Sequence, residues 1–355
     1  MNRAAEIALF GLSAVYGGAV RLRNALYDKR ILRAAVPALP VISVGNISSG
    51  GNAKTPLCLC LAAELKARGF EPVILSRGYK GRIRGPHIVE GGDAPDAVGD
   101  EPVLMARRGI APVVVSRSRV KGAALIERRA LGNLIILDDG FQHRRLRRQV
   151  DIVTVDVTTR AAADEFASGL LLPLGRLREP RAAALARTDM LVFCSRRFSR
   201  TPAELDPRLM RLLPQGLQVY RASLCPEGVA SLAEGQPLSG TALAAFSGIA
   251  KPDGFFETLS ELGYHVLARK VFRDHYPFRR RDLDALRTEY PGVPLVCTEK
   301  DAVKIDPSWA ADVYVLRTSM RIHPADAFFV QLSKRLLAHK RQTGSADRPR
   351  GAAGM

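Results

Sequence analysis

The stretch VISVGNISSGGNAKTP, residues Val41–Pro56, decides the fold. It opens with apolar, β-branched residues, as a buried strand does, and its Gly-rich middle leads through Lys54 and Thr55 into a helix-length segment. A phosphate-binding loop needs converging backbone N–H groups, a helix N-terminus behind them, a lysine for the terminal phosphates and a hydroxyl for a metal ion. The order of these parts predicts a nucleotide site, although a purely structural turn between a strand and a helix would have the same order.

The glycines of this loop do not stand where the common phosphate-binding pattern has them. In the pattern G-x-x-x-x-G-K-[ST], Ser48 and Ala53 would take the two glycine positions, whereas this chain has Gly50 and Gly51. The loop is therefore a degraded site, an unrelated turn, or a working variant with its glycines elsewhere. In the last case the nucleotide would be bound by Ser48, Ser49, Gly50, Gly51, Asn52, Ala53, Lys54 and Thr55.

Short apolar runs alternate with helix-length segments on both sides of this loop. The runs of the first series are 41–46, 72–78, 112–117, 134–140, 151–156 and 190–195, and a second series begins after about residue 240. Near-continuous apolar strands separated by helices are typical of a parallel sheet that is covered on both faces. We predict an α/β fold: a P-loop NTPase-like, mostly parallel sheet with helices on both faces, a second smaller α/β domain and an N-terminal apolar helix.

The same pattern suggests how the chain is divided. We predict an N-terminal membrane-interfacial helix at 1–30, a P-loop domain at 31–225, a smaller α/β domain that completes the cleft at 226–338, and a disordered basic tail at 339–355. The last range is polar and Gly-rich, a composition that buries too little apolar surface to fold.

The charge balance favours an anionic partner. The chain has 53 basic and 35 acidic side chains, for a net charge of +18, which suits nucleic acid, phosphorylated small molecules or a negative membrane surface. Aromatic residues make up only 6% of the chain, and we find no basic stretch interleaved with aromatics that would stack single-stranded bases. Nucleic acid is therefore the less favoured partner.

The N-terminus carries an uncharged run, Ile7–Val20, which is followed by Arg21 and Arg23. As a helix the run would be about 21 Å long, short of the roughly 30 Å hydrocarbon core of a bilayer. Glu6 argues against a signal peptide, whose N-terminal region is basic. A buried core helix and a helix that inserts shallowly at an anionic lipid surface both fit these residues.

A second candidate feature is LIILDDGFQH, Leu134–His143, an apolar run that ends in two carboxylates. In P-loop folds an acidic residue at the end of a buried strand holds Mg²⁺ opposite the lysine. Asp-Asp-Gly is also common in turns. Together with the Lys-Thr loop, the run predicts a magnesium site formed by Thr55 with Asp138 or Asp139.

Three further features are ambiguous on their own. Asp100 and Glu101 precede Pro102 and a helical run, a pattern that helix capping explains well. His275 follows Asp274, which suits either a general base or a structural histidine. CTEKDAV, 297–303, is a poor match to the guanine-reading N-K-x-D pattern, so ATP is preferred over GTP.

In combination these motifs resemble the tetraacyldisaccharide 4'-kinase family, from the N-terminal helix to about residue 305. The matching blocks are Val44–Asn46, Gly50, Gly51, Lys54–Pro56, SRGYKG at 76–81, Gly99–Pro102, DDGFQH at 138–143, LREP at 177–180, AFSGIAKPDGFF at 245–256, DHY at 274–276 and TEKDAV at 298–303. The chain departs from the family pattern at Ala53 and Lys80, where glycines are expected, and at Ala250-Lys251, where Gly-Asn is expected.

The resemblance implies transfer of the ATP γ-phosphate to the 4'-hydroxyl of tetraacyldisaccharide 1-phosphate, which forms lipid IVA in lipid A biosynthesis. It implies ATP and Mg²⁺ as cofactors, a place on the cytoplasmic face of the inner membrane, and neither nucleic acid nor an obligate protein partner. It assigns catalysis to Asp100, His275, Lys54 and Asp139, with Asp100 and His275 as a dyad that accepts the hydroxyl proton. It places Arg178 on the phosphates, and Glu101, Gln142, His143, Glu179, Arg77 and Tyr79 at or near the substrate.

Two alternatives come from other functional classes. One is a P-loop ATPase or GTPase that acts as a regulatory switch or metallochaperone without a lipid substrate. The other is a basic nucleic-acid-binding protein whose Gly-rich turn is structural; it would bind DNA or RNA in a salt-dependent way.

Overall fold

The computed structural model describes residues 3–50, 53–195 and 205–344. Within these ranges, twelve strands form one sheet with the order β10-β9-β11-β12-β8-β7-β6-β1-β5-β2-β4-β3. The strands are β1 Val41–Asn46, β2 Pro72–Ser76, β3 His87–Ile88, β4 Val113–Val115, β5 Leu134–Asp138, β6 Val150–Asp156, β7 Met190–Ser195, β8 Gln218–Ser231, β9 Ala242–Ser247, β10 His265–Val271, β11 Leu295–Thr298 and β12 Val313–His323.

Neighbouring strands run parallel except at two places, where β8 pairs with β12 and β3 pairs with β4. The strand β1 lies between β5 and β6 in the interior of the sheet, and all six of its residues are buried. The loop that follows β1 therefore opens at the carboxyl edge of a parallel sheet, where open α/β folds place their ligands.

Helices connect most of the strands. They are α1 Arg3–Asp28, α2 Lys54–Ala67, α3 Pro95–Val98, α4 Asp100–Arg107, α5 Arg119–Arg128, α6 Arg160–Ser168, α7 Arg181–Leu185, α8 Pro207–Met210, α9 Asp253–Glu261, α10 Arg280–Glu289, α11 Glu299–Ala302 and α12 Ala325–Gly344. Successive side chains of β1 enter different cores: Ile42 packs in a cluster with Leu61 of α2, and Val41 in one with Ile126 of α5. The predicted mostly parallel sheet with helices on both faces is confirmed.

The two predicted domains share this sheet. The strand β8 pairs in parallel with β7 and antiparallel with β12, so the boundary at 225–226 falls inside a strand. The helix α12, which lies mainly in the predicted smaller domain, packs its Phe328 against Tyr220. The division at 225–226 stays a prediction. The predicted basic tail begins inside α12, which extends to Gly344, and residues 345–355 lie outside the described ranges.

The N-terminal helix α1 is longer than the apolar run suggested. It has 26 residues, about 39 Å at 1.5 Å per residue, because helical structure continues through the arginines that follow the run. In the part of the chain that the structure describes, Ala5–Asp28 is the one segment long and apolar enough to cross a membrane, by length and composition alone. Only 17% of its apolar window is buried, which argues against an ordinary core helix.

Candidate active site

The loop after β1 leads directly into α2. Gly45, in β1, lies so close to the chain that follows β5 that an added Cβ would come 2.5 Å from Cβ of Phe141. Beyond it, the Ser49 N–H donates to the Arg176 carbonyl at 2.7 Å, and the Asn46 side chain donates to the Gly50 carbonyl at 3.3 Å. These bonds shape the described part of the loop; Gly51 and Asn52, both predicted to contact nucleotide, lie outside the described residues.

Ala53 sits where the loop becomes a helix and has a left-handed backbone, with φ 53° and ψ 25°. Glycine adopts this conformation freely, whereas a Cβ makes it unfavourable by about 1–2 kcal/mol. Its methyl group packs against the apolar cluster that contains Leu57 and Leu61. Alanine is thus accommodated at this position, and its disadvantage is backbone strain.

We expect Ala53→Gly to raise the free energy of unfolding by roughly 0.5–1 kcal/mol, because relief of the left-handed strain exceeds the added chain entropy of glycine. Denaturant unfolding of the variant beside wild type measures this. Ala63→Gly, in the exposed interior of the same helix, is the matched control and should lower stability by about 0.5–1 kcal/mol. A loss of stability in Ala53→Gly would contradict this account.

Two carboxylates mark the carboxyl end of β5, as the sequence predicts: Asp138 is its last residue and Asp139 follows it. Asp138 is buried and accepts hydrogen bonds from the Ser76 hydroxyl at 2.9 Å and the Cys58 thiol at 3.8 Å. Burial raises the pKa of Asp138, and the nearby carboxylates of Glu101 and Asp139 raise it further. The charge of Lys54 and the hydrogen bond from Ser76 lower the pKa of Asp138 only in part, so the negative charge around Asp138 is not fully offset.

Asp139 has different neighbours. Its backbone is left-handed, with φ 48°, and its carboxylate lies 3.4 Å from Nζ of Lys54 and 3.2 Å from Nη1 of Arg178. Burial opposes its ionisation, but Lys54 and Arg178 outweigh burial and hold the pKa of Asp139 below its usual value. The predicted meeting of the loop lysine with the strand-end carboxylates is thus present.

The LREP segment contributes a buried network around Glu179, whose side chain has no exposed surface. Its Oε1 accepts from Gln142 at 3.0 Å, and its Oε2 accepts from Asn24 at 3.2 Å and Arg187 at 2.6 Å. Gln142 in turn accepts from Arg178 at 3.4 Å. Gln142 and Glu179 therefore hold Arg178 toward Asp139, and their predicted place at or near the substrate stays a prediction.

Asp100 and His275 come together from positions 175 residues apart. Asp100 is the first residue of α4, and its Oδ2 lies 2.8 Å from Nδ1 of His275, which follows β10. His275 has a left-handed backbone, with φ 62°, a strained conformation that recurs at functional sites. Burial opposes ionisation of Asp100, but the hydrogen bond from His275 and the charges of Lys304 and Lys300 keep its pKa below the usual value.

A cleft of about 750 Å³ opens between the loop after β1 and residues that neighbour the Asp100–His275 pair, although Asp100 and His275 do not line it themselves. Six predicted nucleotide-binding positions line it: Ser48, Ser49, Gly50, Ala53, Lys54 and Thr55. The predicted Glu101 lines it too, together with Lys251 and Lys300 from the second half of the chain. Its volume is in the usual range for a small-molecule site.

Three predicted residues do not line this cleft: Arg77, Tyr79 and His143. Arg77 is exposed, and Tyr79 is 65% exposed with its ring 6.3 Å from the His275 ring. Burial, followed by the charges of Arg119 and other arginines, lowers the pKa of His143 to about 4. The roles of these three residues stay predictions.

The TEKDAV segment contains contacts that sequence reasoning missed. Asp301 is fully buried and accepts from the Gly248 N–H at 3.0 Å, and Glu299 pairs with Arg108 at 2.7 Å. Neither residue is placed as in a guanine-reading motif. In the sequence, only the match of this segment to the family pattern indicated that it is functional. The residues that Glu299 and Asp301 contact lie far away in the chain, so no local pattern reveals these contacts.

Comparison with known proteins gives one consistent result. The family model described as Tetraacyldisaccharide-1-P 4'-kinase matches residues 5–337. The chain is 40% identical over 319 residues to the tetraacyldisaccharide 4'-kinase of Methylobacterium nodulans, with 89% of this chain and 87% of the relative covered. It is 40% identical over 320 residues to that of Alkalilimnicola ehrlichii, with 90% and 89% covered.

A solved structure has the same fold. The crystal structure of LpxK from Aquifex aeolicus in complex with ATP superimposes with a TM-score of 0.75 at 28% sequence identity. The match covers 94% of this chain and 99% of the other.

Proposed function

Because the chain belongs to the tetraacyldisaccharide 4'-kinase family, we propose that the cleft between the β1–α2 loop and the Asp100–His275 pair is its phosphoryl-transfer site. The chain is an ATP-dependent lipid kinase that transfers the γ-phosphate of ATP to the 4'-hydroxyl of tetraacyldisaccharide 1-phosphate, which forms lipid IVA in lipid A biosynthesis. One observation carries the assignment. Lys54 and Thr55 line the same cleft as Glu101 and Lys300, and Glu101 and Lys300 adjoin the dyad.

Phosphoryl transfer depends mainly on positioning and charge neutralisation. In our proposal the loop backbone and Lys54 bind the β- and γ-phosphates, and Arg178 steadies them. The sugar hydroxyl oxygen bonds to the γ-phosphorus while the bond from that phosphorus to the β–γ bridging oxygen breaks, which leaves ADP. The hydroxyl proton passes to the Asp100–His275 dyad.

We propose Mg²⁺ as the metal, held by Asp138 and Thr55 together with ATP phosphate oxygens. The negative charge around Asp138, which Lys54 offsets only in part, favours a cation there, whereas Asp139 already pairs directly with Lys54 and Arg178. No cluster of three or more His, Cys, Asp or Glu ligands occurs in the described ranges. This fits magnesium, which is commonly held by one or two carboxylates plus substrate phosphates. When bound, Mg²⁺ would neutralise charge on the transferring phosphates.

A kinase assay with labelled ATP and tetraacyldisaccharide 1-phosphate in detergent micelles tests the proposed function. We expect label in the lipid product with ATP, far less with GTP, and little hydrolysis when lipid is left out. A regulatory switch or metallochaperone would instead hydrolyse nucleotide at a similar rate without lipid. No labelled lipid from the wild-type chain would refute the assignment.

We further propose that α1 docks on the cytoplasmic face of the inner membrane, where the substrate lipid would be reached. The polar side of α1 bonds to the protein through Ser13, Tyr16 and Asn24. Its other side exposes Ile7, Phe10 and Val15 to 67%, 66% and 73%. An apolar face beside arginines suits an anionic lipid surface.

Changing Ile7, Phe10 and Val15 together to Asp should weaken co-sedimentation with anionic phospholipid vesicles about tenfold or more, because each apolar side chain that leaves the interface costs free energy. The triple variant spares the polar contacts of α1, so folding should be kept. Leu267→Asp with Val271→Asp, on the exposed strand β10, is the control and should sediment as wild type does. Unchanged binding by the triple variant would mean that α1 does not dock.

A further inference from the structure

The three residues Glu299, Lys300 and Asp301 support the dyad from one short helix, α11. Glu299 makes a two-pronged pair with Arg108, through Oε1 to Nε at 2.7 Å and Oε2 to Nη2 at 2.9 Å. Arg108 caps the C-terminus of α4, the helix that begins with Asp100. Glu299 therefore ties α11 to the element that carries the acidic member of the dyad.

Asp301 ties α11 to the other member. Its Oδ2 accepts from the Gly248 N–H at 3.0 Å, and the Gly248 carbonyl accepts from the His275 N–H at 3.0 Å. Its Oδ1 is bonded by Lys304 at 2.9 Å. With α11 fixed on both sides, Lys300 is held at Nε2 of His275, the ring nitrogen that does not face Asp100.

Lys300 reaches the imidazole itself. Its Nζ lies 3.3 Å from Nε2 of His275, while Nδ1 of the same ring lies 2.8 Å from Oδ2 of Asp100. A lysine ammonium has three donors and no acceptor, so the ring nitrogen that faces it must accept. The one ring proton of the neutral imidazole is then on Nδ1, from which it donates to Asp100.

We propose that Lys300 is a positioning residue of the kinase, which holds His275 in the neutral Nδ1–H form and so keeps Asp100 as an unneutralised proton acceptor. The proposal rests on the dyad role given above to Asp100 and His275. A second proton on Nε2 would place two positive charges 3.3 Å apart. Without that second charge, Asp100 hydrogen-bonds a neutral ring and stays the stronger base toward a sugar hydroxyl.

Three other charged residues act on the ring or on the groups beside it. Oδ2 of Asp274 lies 3.7 Å from Nε2, where it favours a protonated ring, and the same carboxylate lies 3.7 Å from Nζ of Lys300. Oε1 of Glu101 lies 3.9 Å from Nζ of Lys300 and forms an ion pair with it. The charge of Lys304 also acts on Asp100, where it lowers the pKa of the carboxyl. Lys300 makes the shorter contact with Nε2, so it opposes the effect of Asp274.

The tautomer can be read directly by ¹⁵N NMR of the full chain labelled at its histidines, with His275→Gln to assign the signal. At neutral pH we expect Nε2 of His275 without a proton and Nδ1 with one. An Nε2–H tautomer, or a doubly protonated ring, in the wild-type chain would overturn the proposal without any substitution at Lys300.

Lys300→Met gives the kinetic test. With the positive charge gone and Asp274 left facing Nε2, the imidazole should protonate more easily. The acidic limb of the kcat profile should therefore move to higher pH by about one unit, the usual effect of one neighbouring charge. At pH values below the shifted limb, kcat should be about tenfold lower than in wild type, and it should recover at alkaline pH. Lys300→Arg should restore most of the wild-type dependence of kcat on pH.

Lys270→Met, on the exposed strand β10, is the matched control and should leave the profile unchanged. A uniform loss of kcat at every pH in Lys300→Met would indicate a merely structural role and would overturn the proposal, as would an unshifted profile. Failure of the dyad assignment would look different, because Asp100→Asn would then keep nearly full activity.

Discussion

Asp100→Asn is expected to lower kcat for lipid phosphorylation by about 10²–10⁴-fold, the usual contribution of general acid–base catalysis, with little change in the KM for ATP. The amide has the size of the carboxylate and can still accept the 2.8 Å hydrogen bond from Nδ1 of His275. It cannot take a proton from a sugar hydroxyl. The variant therefore separates the chemistry of Asp100 from its place in the fold.

Asp96→Asn is the matched control, since Asp96 lies on the neighbouring helix α3 and pairs at the surface with Arg82. It should have wild-type kcat. Steady-state rates with varied lipid at saturating ATP measure both variants. A kcat for Asp100→Asn within about threefold of wild type would remove Asp100 from the mechanism.

Lys54→Ala is expected to lower kcat/KM for ATP by about 10²–10³-fold, the usual loss when one charge-stabilising donor of a phosphoryl-transfer or oxyanion site is removed. Lys54 begins α2, and its ammonium lies at the carboxylate of Asp139, 3.4 Å away. Without it, the negative charges of Asp138 and Asp139 would face the incoming phosphates, and Arg178 would be left as the side chain paired with Asp139.

Lys66→Ala provides the comparison for Lys54→Ala. Lys66 lies in the last turn of the same helix, where it donates to the Ile110 carbonyl at an exposed site. Its loss should leave kcat/KM unchanged. Equal effects of the two substitutions would mean that Lys54 acts through the stability of α2 and not through phosphate binding.

The local patterns of the sequence were enough to place the first half of the sheet. Apolar runs at β1 and β5 with helix-length segments between them predict buried parallel strands, and both are confirmed. The continuous sheet was not predictable in the same way, because β8 contains Pro226 and Gly228, residues that indicate a loop. The strand tolerates them where its pairing with β12 is irregular, between Arg317 and Thr318.

Local sequence patterns also predict only part of the candidate site. Residues at strand ends and helix starts, such as Lys54 and Asp138, could be found because the topology of a parallel sheet brings those ends together. Contacts such as those of Lys300 with His275 depend on how distant segments pack, and no local pattern reveals them. The left-handed backbone of Ala53 is an intermediate case, since alanine itself gives no sign of it but the glycine that the family pattern has there does.

The contact of α1 with Glu179 has a practical consequence for handling the enzyme. Asn24 donates to a carboxylate with no exposed surface, and the Tyr16 hydroxyl donates to the backbone carbonyl of Arg178 at 2.8 Å. A change in α1 that breaks these two bonds should therefore loosen Arg178, the arginine that we propose steadies the phosphates. We expect turnover that is lost on extraction from lipid to return when the helix is returned to lipid.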